Sequence, residues 1–150
     1  ALSDDSGGPW IDSLGRCSDP HTYAAGNLLR PVETAGWCWS EGRRVAENIA
    51  DDLLGQGVRE GDPLPLRCDD PKLRYVVPNC LWPREDNNLP VQLRLAVPAR
   101  GRLTVKQSDR LLWSRSLSAL PERRILLPNS AFAEAEATGA LTVALEEQDP

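Results

Sequence analysis

The sequence predicts an α+β chain: one long helix followed by a small, antiparallel β-sandwich-like module. Two changes of period carry that expectation. From Ala35 to Leu54, apolar and small residues recur at three- and four-residue spacing, the signature of an amphipathic helix. Beyond Pro65 the period becomes two, in six short runs. Between them, residues 56–65 are rich in glycine, proline and charge and read as a linker. The expected organisation is therefore residues 1–55, a linker over 56–65 and a β-rich module over 66–150. Thirteen prolines and eleven glycines fit a chain of short elements and many turns.

Residues 1–16 read as a loop, with Asp12-Ser-Leu-Gly-Arg16 carrying the polar-glycine chemistry of a hairpin tip. Thr22-Tyr-Ala-Ala25 is expected as a short buried strand, entered at Pro20. Its alanines and Gly26 would let another backbone approach closely. Leu28 to Thr34 connects to the helix. There Trp39, Gly42, Val45, Ala46, Ile49, Ala50, Leu53 and Leu54 are expected on the packed face, with Glu41, Asn48 and Asp52 among the polar residues opposite. Glu33 or Thr34 can serve the helix start, and Gly55 is a natural stop.

The six strand candidates are 73–77, 91–97, 102–106, 111–115, 123–127 and 140–145. Turn signals at Asn87-Asn88, Arg100-Gly101, Ser108-Asp109 and Pro121 separate them, and residues 130–137 have room for a helical turn. Trp82, Trp113 and Tyr75 are expected as core or edge residues of this module.

Net charge is −5. Residues 61–130 carry twelve basic and seven acidic side chains, while 131–150 carry five acidic and none basic. The basic residues are scattered through strand-like segments without interleaved aromatics, so a solvated sheet face is expected and nucleic-acid binding is not. No apolar run approaches the ~20 residues that span a bilayer. The first residues have neither the basic start nor the apolar core of a signal peptide, so the expected location is cytoplasmic. Cys17, Cys38, Cys68 and Cys80 lack metal-site spacing and, with one histidine in the chain, are expected as reduced, mostly buried thiols. His21, a loop residue after proline with no visible partner, is expected to be solvated.

A small-residue strand, a Gly26-Asn27 turn and a long helix starting at Ala35 have a specific physical use. The turn brings backbone N–H groups close to a ligand, and Asn27 can bond a ribityl hydroxyl or, through water, a phosphate. The helix start at Ala35, Gly36 and Trp37 offers free N–H donors and a positive dipole end. The N1/C2=O edge of a flavin gains negative charge on reduction, and a helix start placed there stabilises the reduced form.

The run Cys17-Ser-Asp-Pro-His-Thr-Tyr-Ala-Ala-Gly-Asn27 resembles the second FAD-contact motif, T-x-x-P-x-h-Y-A-x-G-D, of the pyridine nucleotide-disulfide oxidoreductase superfamily. The segment Ala35-Gly-Trp-Cys-Trp-Ser-Glu-Gly42 resembles the A-x-x-E-G-type helix that follows it there. The stretch from Gly15 to Leu54, including Pro31-Val-Glu-Thr-Ala-Gly36, is most similar to the FAD/NAD(P)-binding members that lack the redox disulfide. Residues 64–150 resemble the small β-rich extension some of them carry. Two positions depart from the pattern: Asn27 replaces the acidic residue and Cys17 the threonine. The G-x-G-x-x-G turn that binds the FAD pyrophosphate is not in these 150 residues.

This resemblance implies the C-terminal βα piece of a Rossmann-like FAD-binding domain, followed by a docking or subunit-contact module. The chain would be the C-terminal segment of a longer FAD-dependent oxidoreductase, not active alone. It would contribute the ring and ribityl side of the FAD site through Gly26, Asn27, Ala35, Gly36 and Trp37. FAD would be shared with the missing N-terminal part or other subunits, and NAD(P) would bind through the missing part. The alternative from another class is a non-enzymatic β-sandwich binding or subunit-assembly module, with the helix as scaffold.

Overall fold

A computed structural model of the chain describes residues 1–56, 61–82 and 89–146. It shows an α+β architecture of one α-helix, α1 (Ala35–Leu53), and eight strands in two sheets. The strands are β1 (Leu64–Cys68), β2 (Leu73–Val77), β3 (Cys80–Leu81), β4 (Gln92–Leu95), β5 (Ala99–Gln107), β6 (Arg110–Ala119), β7 (Ile125–Leu126) and β8 (Leu141–Glu146). All six period-two runs fall on a strand. β1 and β3 are additional. The β1 pattern Leu64-Pro-Leu-Arg-Cys68 does alternate, but Pro65 and its charged, glycine-rich approach read as linker.

The five-stranded sheet runs β3-β1-β8-β5-β6, and the three-stranded sheet runs β2-β4-β7. The expectation of a purely antiparallel module is corrected here. β1 lies parallel to β8, with Leu66 opposite Leu141 and Cys68 opposite Val143. A parallel partner needs a long connection, and the whole sequence from 69 to 140 supplies it. Pro65 is tolerated because it sits before that ladder, paired only with Cys80 of β3. A second correction concerns Arg100-Gly101, expected as a turn but lying inside β5 opposite Ser118 and Leu117. A side chain on Gly101 would collide with the Glu146 carbonyl, so glycine marks close approach of a neighbouring strand instead of a turn. Ser108 and Asp109 do form the β5–β6 turn, and residues 129–131 make a single 3-10 turn. The Asn87-Asn88 signal and residues 57–60 lie outside the described residues.

One buried cluster joins the two sheets, drawing Val76, Leu93, Leu95 and Ile125 from one and Leu66, Leu103, Val105 and Val143 from the other. A second cluster contains Ile11, Ala24, Leu29 and Val45 together with Tyr75, Val77 and Leu89. Residues from both sides of the 56–65 stretch therefore share a core. The turn at 12–16 fixes that junction. Asp12 Oδ1 accepts from the amides of Leu14 and Arg16, each at 2.9 Å, and its Oδ2 accepts from Trp82 Nε1 at 2.9 Å. Asn79 exchanges backbone and side-chain bonds with Ile11.

The expected strand at 22–25 is also corrected: only Tyr23 makes a bridge, to Arg16. The segment folds back on the Gly15 turn, with the Ala24 amide bonded to the Gly15 carbonyl at 2.9 Å, and no second strand lies beside it among the described residues.

Burial pushes the Cys80 thiol up from its ordinary value, and Asp12 adds to the shift. Cys68 moves the same way, chiefly by burial and then by Asp5, Asp69 and Asp70. All four cysteines are free thiols. The native state thus holds protons that an unfolded chain releases near pH 9, the ordinary thiol value. The associated stability is complete below that pH and is lost as pH rises above it, by up to about 1.4 kcal/mol per pH unit per thiol. Urea midpoints should fall between about pH 8 and about pH 10, and Cys80→Ala should show a smaller fall relative to its own lower-pH value. A wild-type midpoint that does not move would refute this.

Candidate functional site

The helix start and the turn that precedes it form the candidate site. At Gly26 the chain turns with φ of 71°, where an L-residue would be strained, into a 3-10 turn over Gly26–Leu28. A Cβ on Gly26 would also lie 3.3 Å from both Cβ and Sγ of Cys38 on the first turn of α1. The conformation favours glycine, and Cys38 leaves a side chain little room. Thr34 caps the helix: its Oγ1 accepts from the Trp37 amide at 3.4 Å and its carbonyl from the Cys38 amide at 3.0 Å.

The face of α1 that packs inward overlaps the expected one only at Val45 and Ile49. Glu41, Val45 and Asn48 are its buried residues, and Asp52 joins them one turn on through its ion pair with Arg16. Trp39, Leu53 and Leu54 point out, at 68%, 84% and 71% exposure. The cause is what the helix covers: hydrogen-bonding backbone instead of an apolar sheet. Asn48 Nδ2 donates to the Leu14 carbonyl at 2.8 Å. Glu41 Oε2 accepts from the Gly26 amide at 2.6 Å, and its Oε1 from Arg30 Nη2 at 2.7 Å.

Those bonds belong to a buried ionic cluster that sequence reasoning missed. Arg30 is 1% exposed. Its Nε lies 3.6 Å from Glu33 Oε1, which also pairs with Arg94 Nη2 at 3.1 Å. The other Glu33 oxygen pairs with Arg124, whose guanidinium lies 3.8 Å from the centroid of the Trp37 ring. Glu33 thus receives three guanidinium groups, brought from the 27–34 loop, β4 and the approach to β7. Arg30 Nη1 has no hydrogen-bond partner among the described residues. The one available sequence signal was the polar stripe Glu41, Asn48, Asp52 on the same side as Val45. Arg30, between Leu29 and Pro31, gave none.

The five expected site residues lie in the Gly26–Leu28 turn and at the start of α1, in different states. The Gly26 amide is spent on Glu41. Asn27 is spent on the loop: its Oδ1 accepts from the Glu33 amide at 2.6 Å and its Nδ2 reaches the Glu33 carbonyl at 3.5 Å. Ala35 and Gly36 are exposed, and nothing lies within 4 Å of a Cβ built on Gly36. Their amides, at the start of the helix, have no intrahelical acceptors. Trp37 is half-buried against Arg124.

The helix start therefore keeps its first amides free of intrahelical acceptors, whereas the Gly26-Asn27 turn acts as a clamp that holds this start in place. A cavity beside the helix start, about 150 Å³ between Trp37, Glu41, Arg44 and Leu126, is smaller than the ~300 Å³ at which small-molecule pockets begin. His21 is an exposed loop residue whose amide bonds Asp19 at 3.1 Å. No helix among the described residues is long and apolar enough to cross a membrane. Compared with known proteins, the chain matches no family model, no curated protein and no solved structure.

Proposed function

We propose that this chain is the C-terminal segment of an FAD-dependent oxidoreductase, its Gly-Asn turn and α1 forming the closing piece of a Rossmann-like FAD-binding domain. One observation carries the reading: α1 packs its apolar side only at Val45 and Ile49, leaves Trp39 and Leu53 exposed, and is open at its N-terminal end. Trp39, Leu53 and Leu54 are exposed, as are Ala35 and Gly36, whose amides at the helix start have no intrahelical acceptors. A helix of that kind expects its partners from outside, and a flavin together with the rest of its binding domain meets both demands. The reduced flavin would present its anionic edge to the Ala35 and Gly36 amides, with Trp37 beside it. Glu41, Arg30 and Asn27 would position that helix start without touching the cofactor. Hydride transfer at N5 is chemistry the flavin supplies when bound; NAD(P) would bind through a part not in this sequence.

Amide chemical shifts, followed by NMR during anaerobic titration with oxidised and reduced FAD, test the reading. The isolated chain should show no tight, stoichiometric FAD binding. Ala35 and Gly36 should shift, with reduced FAD bound about two- to fivefold tighter, the scale of a helix-terminus interaction. Gly36→Asp, which puts a carboxylate at the helix start, should remove the preference. Equal response to both redox states would overturn the flavin reading, and tight binding would overturn its half-site form.

A second reading, a non-enzymatic binding or subunit-assembly module, draws on the β-rich part. What favours it is an open groove beside β6, lined by arginines.

A further inference from the structure

The two sheets leave a seam where β6 and β7 approach each other. β6 is the last strand of the five-stranded sheet and β7 the last of the three-stranded one, and they do not pair with each other. Between them lies a groove of about 610 Å³. Arg115 enters it from β6, and Arg123 and Arg124 from the approach to β7. Beyond Leu120 a second hollow of about 370 Å³ adds Arg100. No carboxylate lines either hollow. Leu120 and Leu126, which also line the groove, are 54% and 40% exposed.

The two halves of β6 differ. At its first residue, Arg110 is held by Glu134 at 2.8 Å and Glu136 at 3.3 Å, which covers that end with charge. The half from Ser114 to Ala119 pairs in unbroken register with β5 on one side, and its other side carries no strand. Exposed edges are usually blunted by bulges, prolines or lysines. This half has no bulge, proline or lysine; its one charged side chain, Arg115, reaches across the seam to the Leu126 carbonyl at 3.2 Å, and the strand offers a row of ladder donors and acceptors bordered by guanidinium groups.

We propose that this seam binds an extended, acidic segment of a partner polypeptide, added as a strand to the free edge of β6. Main-chain bonds to residues 114–119 give the segment its register. Its carboxylates face Arg115 and Arg123, with Arg124 held by Glu33, and its apolar side chains cover Leu120 and Leu126. The charge selects the partner: a basic segment meets Arg115, Arg123 and, further along, Arg100, none of which has an ion pair among the described residues, whereas Arg124 is already held by Glu33. The proposal does not depend on the flavin reading, since no residue of the helix start takes part.

Fluorescence anisotropy tests it with a fluorescein-labelled peptide of about ten residues alternating Glu and Val, long enough to span the β6 edge. The comparison probes are the same peptide with Lys for Glu, an alternately N-methylated acidic version and an oligothymidylate. The acidic peptide should bind, more weakly as salt rises. The lysine and N-methylated peptides should bind at least about tenfold more weakly, the first for lack of charge complementarity and the second for lack of ladder donors. Arg115→Glu/Arg123→Glu should cost about tenfold or more, and Arg110→Ala, at the covered end, should change nothing. If circular dichroism shows the double variant misfolded, Arg123→Gln replaces it and should weaken binding in the same direction. The proposal fails if the acidic peptide does not bind or binds no better than the lysine peptide. It fails also if N-methylation is harmless or the oligonucleotide binds more tightly.

Discussion

Glu33→Ala should be among the most damaging single substitutions in this chain, lowering stability by about 3–5 kcal/mol. The residue accepts three guanidinium groups with a side chain that has no solvent exposure. Removing it leaves Arg30, itself 1% exposed, with Glu41 alone, and strips Arg94 and Arg124 of their carboxylate. A desolvated cation without a counter-charge is the costly product, so the loss reflects what remains as much as what is removed. Domains of this size are stable by only about 5–15 kcal/mol, and denaturant midpoints should register the change clearly. Glu33→Gln keeps the shape and some acceptor capacity and should cost less than the alanine. Combining Glu33→Ala with Arg94→Met and Arg124→Met should return part of the loss. If the alanine variant unfolds at the wild-type midpoint, the cluster contributes no net stability and its place in holding the helix start falls with it.

That cluster also shows where the sequence was legible and where it was not. Strands half-buried on one face write a period of two, and Leu103, Val105 and Val143 stand on that face as their spacing requires. α1 was equally legible as a helix, because its period, its Thr34 cap and Gly55 all agree. Its orientation was not legible. Hydrophobic periodicity assumes that the buried side meets an apolar surface, yet here the helix covers the Gly15 turn, the Gly26 amide and the Arg30 guanidinium. Glu41 and Asn48 are inside because they answer those donors and acceptors. The pairing of Glu33 with Arg94 and Arg124 spans 61 and 91 residues of sequence, so no local pattern could report it. β1 was hidden for another reason: its ladder partner is parallel and distant, and Pro65 imitates a linker. At the candidate site, the residues Gly26, Asn27, Ala35, Gly36 and Trp37 were locatable by type and spacing. The division of labour between clamp and open helix start was not.

Gly15→Val should rank with Glu33→Ala in effect, by a different route. Gly15 has φ of 83°, a region in which a β-branched residue is a strong outlier. A Cβ there would sit 2.6 Å from Cγ2 of Val45 on α1 and 3.3 Å from both the Ala24 carbonyl oxygen and Leu89 Cδ1. The backbone contributes about 1–2 kcal/mol and overpacking about 1–3 kcal/mol more, a total of roughly 2–5 kcal/mol. The two contributions separate experimentally. Gly15→Ala carries the backbone cost and the single close methyl, and Val45→Ala opens the space opposite. In a double-mutant cycle, Val45→Ala should partly rescue Gly15→Ala, the rescued part being the clash and the remainder the strain. Complete rescue would mean that the left-handed backbone costs nothing; no rescue would mean that α1 yields to the new methyl by moving. Movement would have a consequence beyond stability. The Gly15 turn bonds α1 through Asn48 and the β-rich part through Asp12, so a displaced helix should disturb the Glu41 bond to Gly26 as well. Amide shifts at Gly26, Ala35 and Gly36 would then change in Gly15→Val although none of the three touches residue 15, placing the control of the helix start in the turn that holds the far end of the same helix.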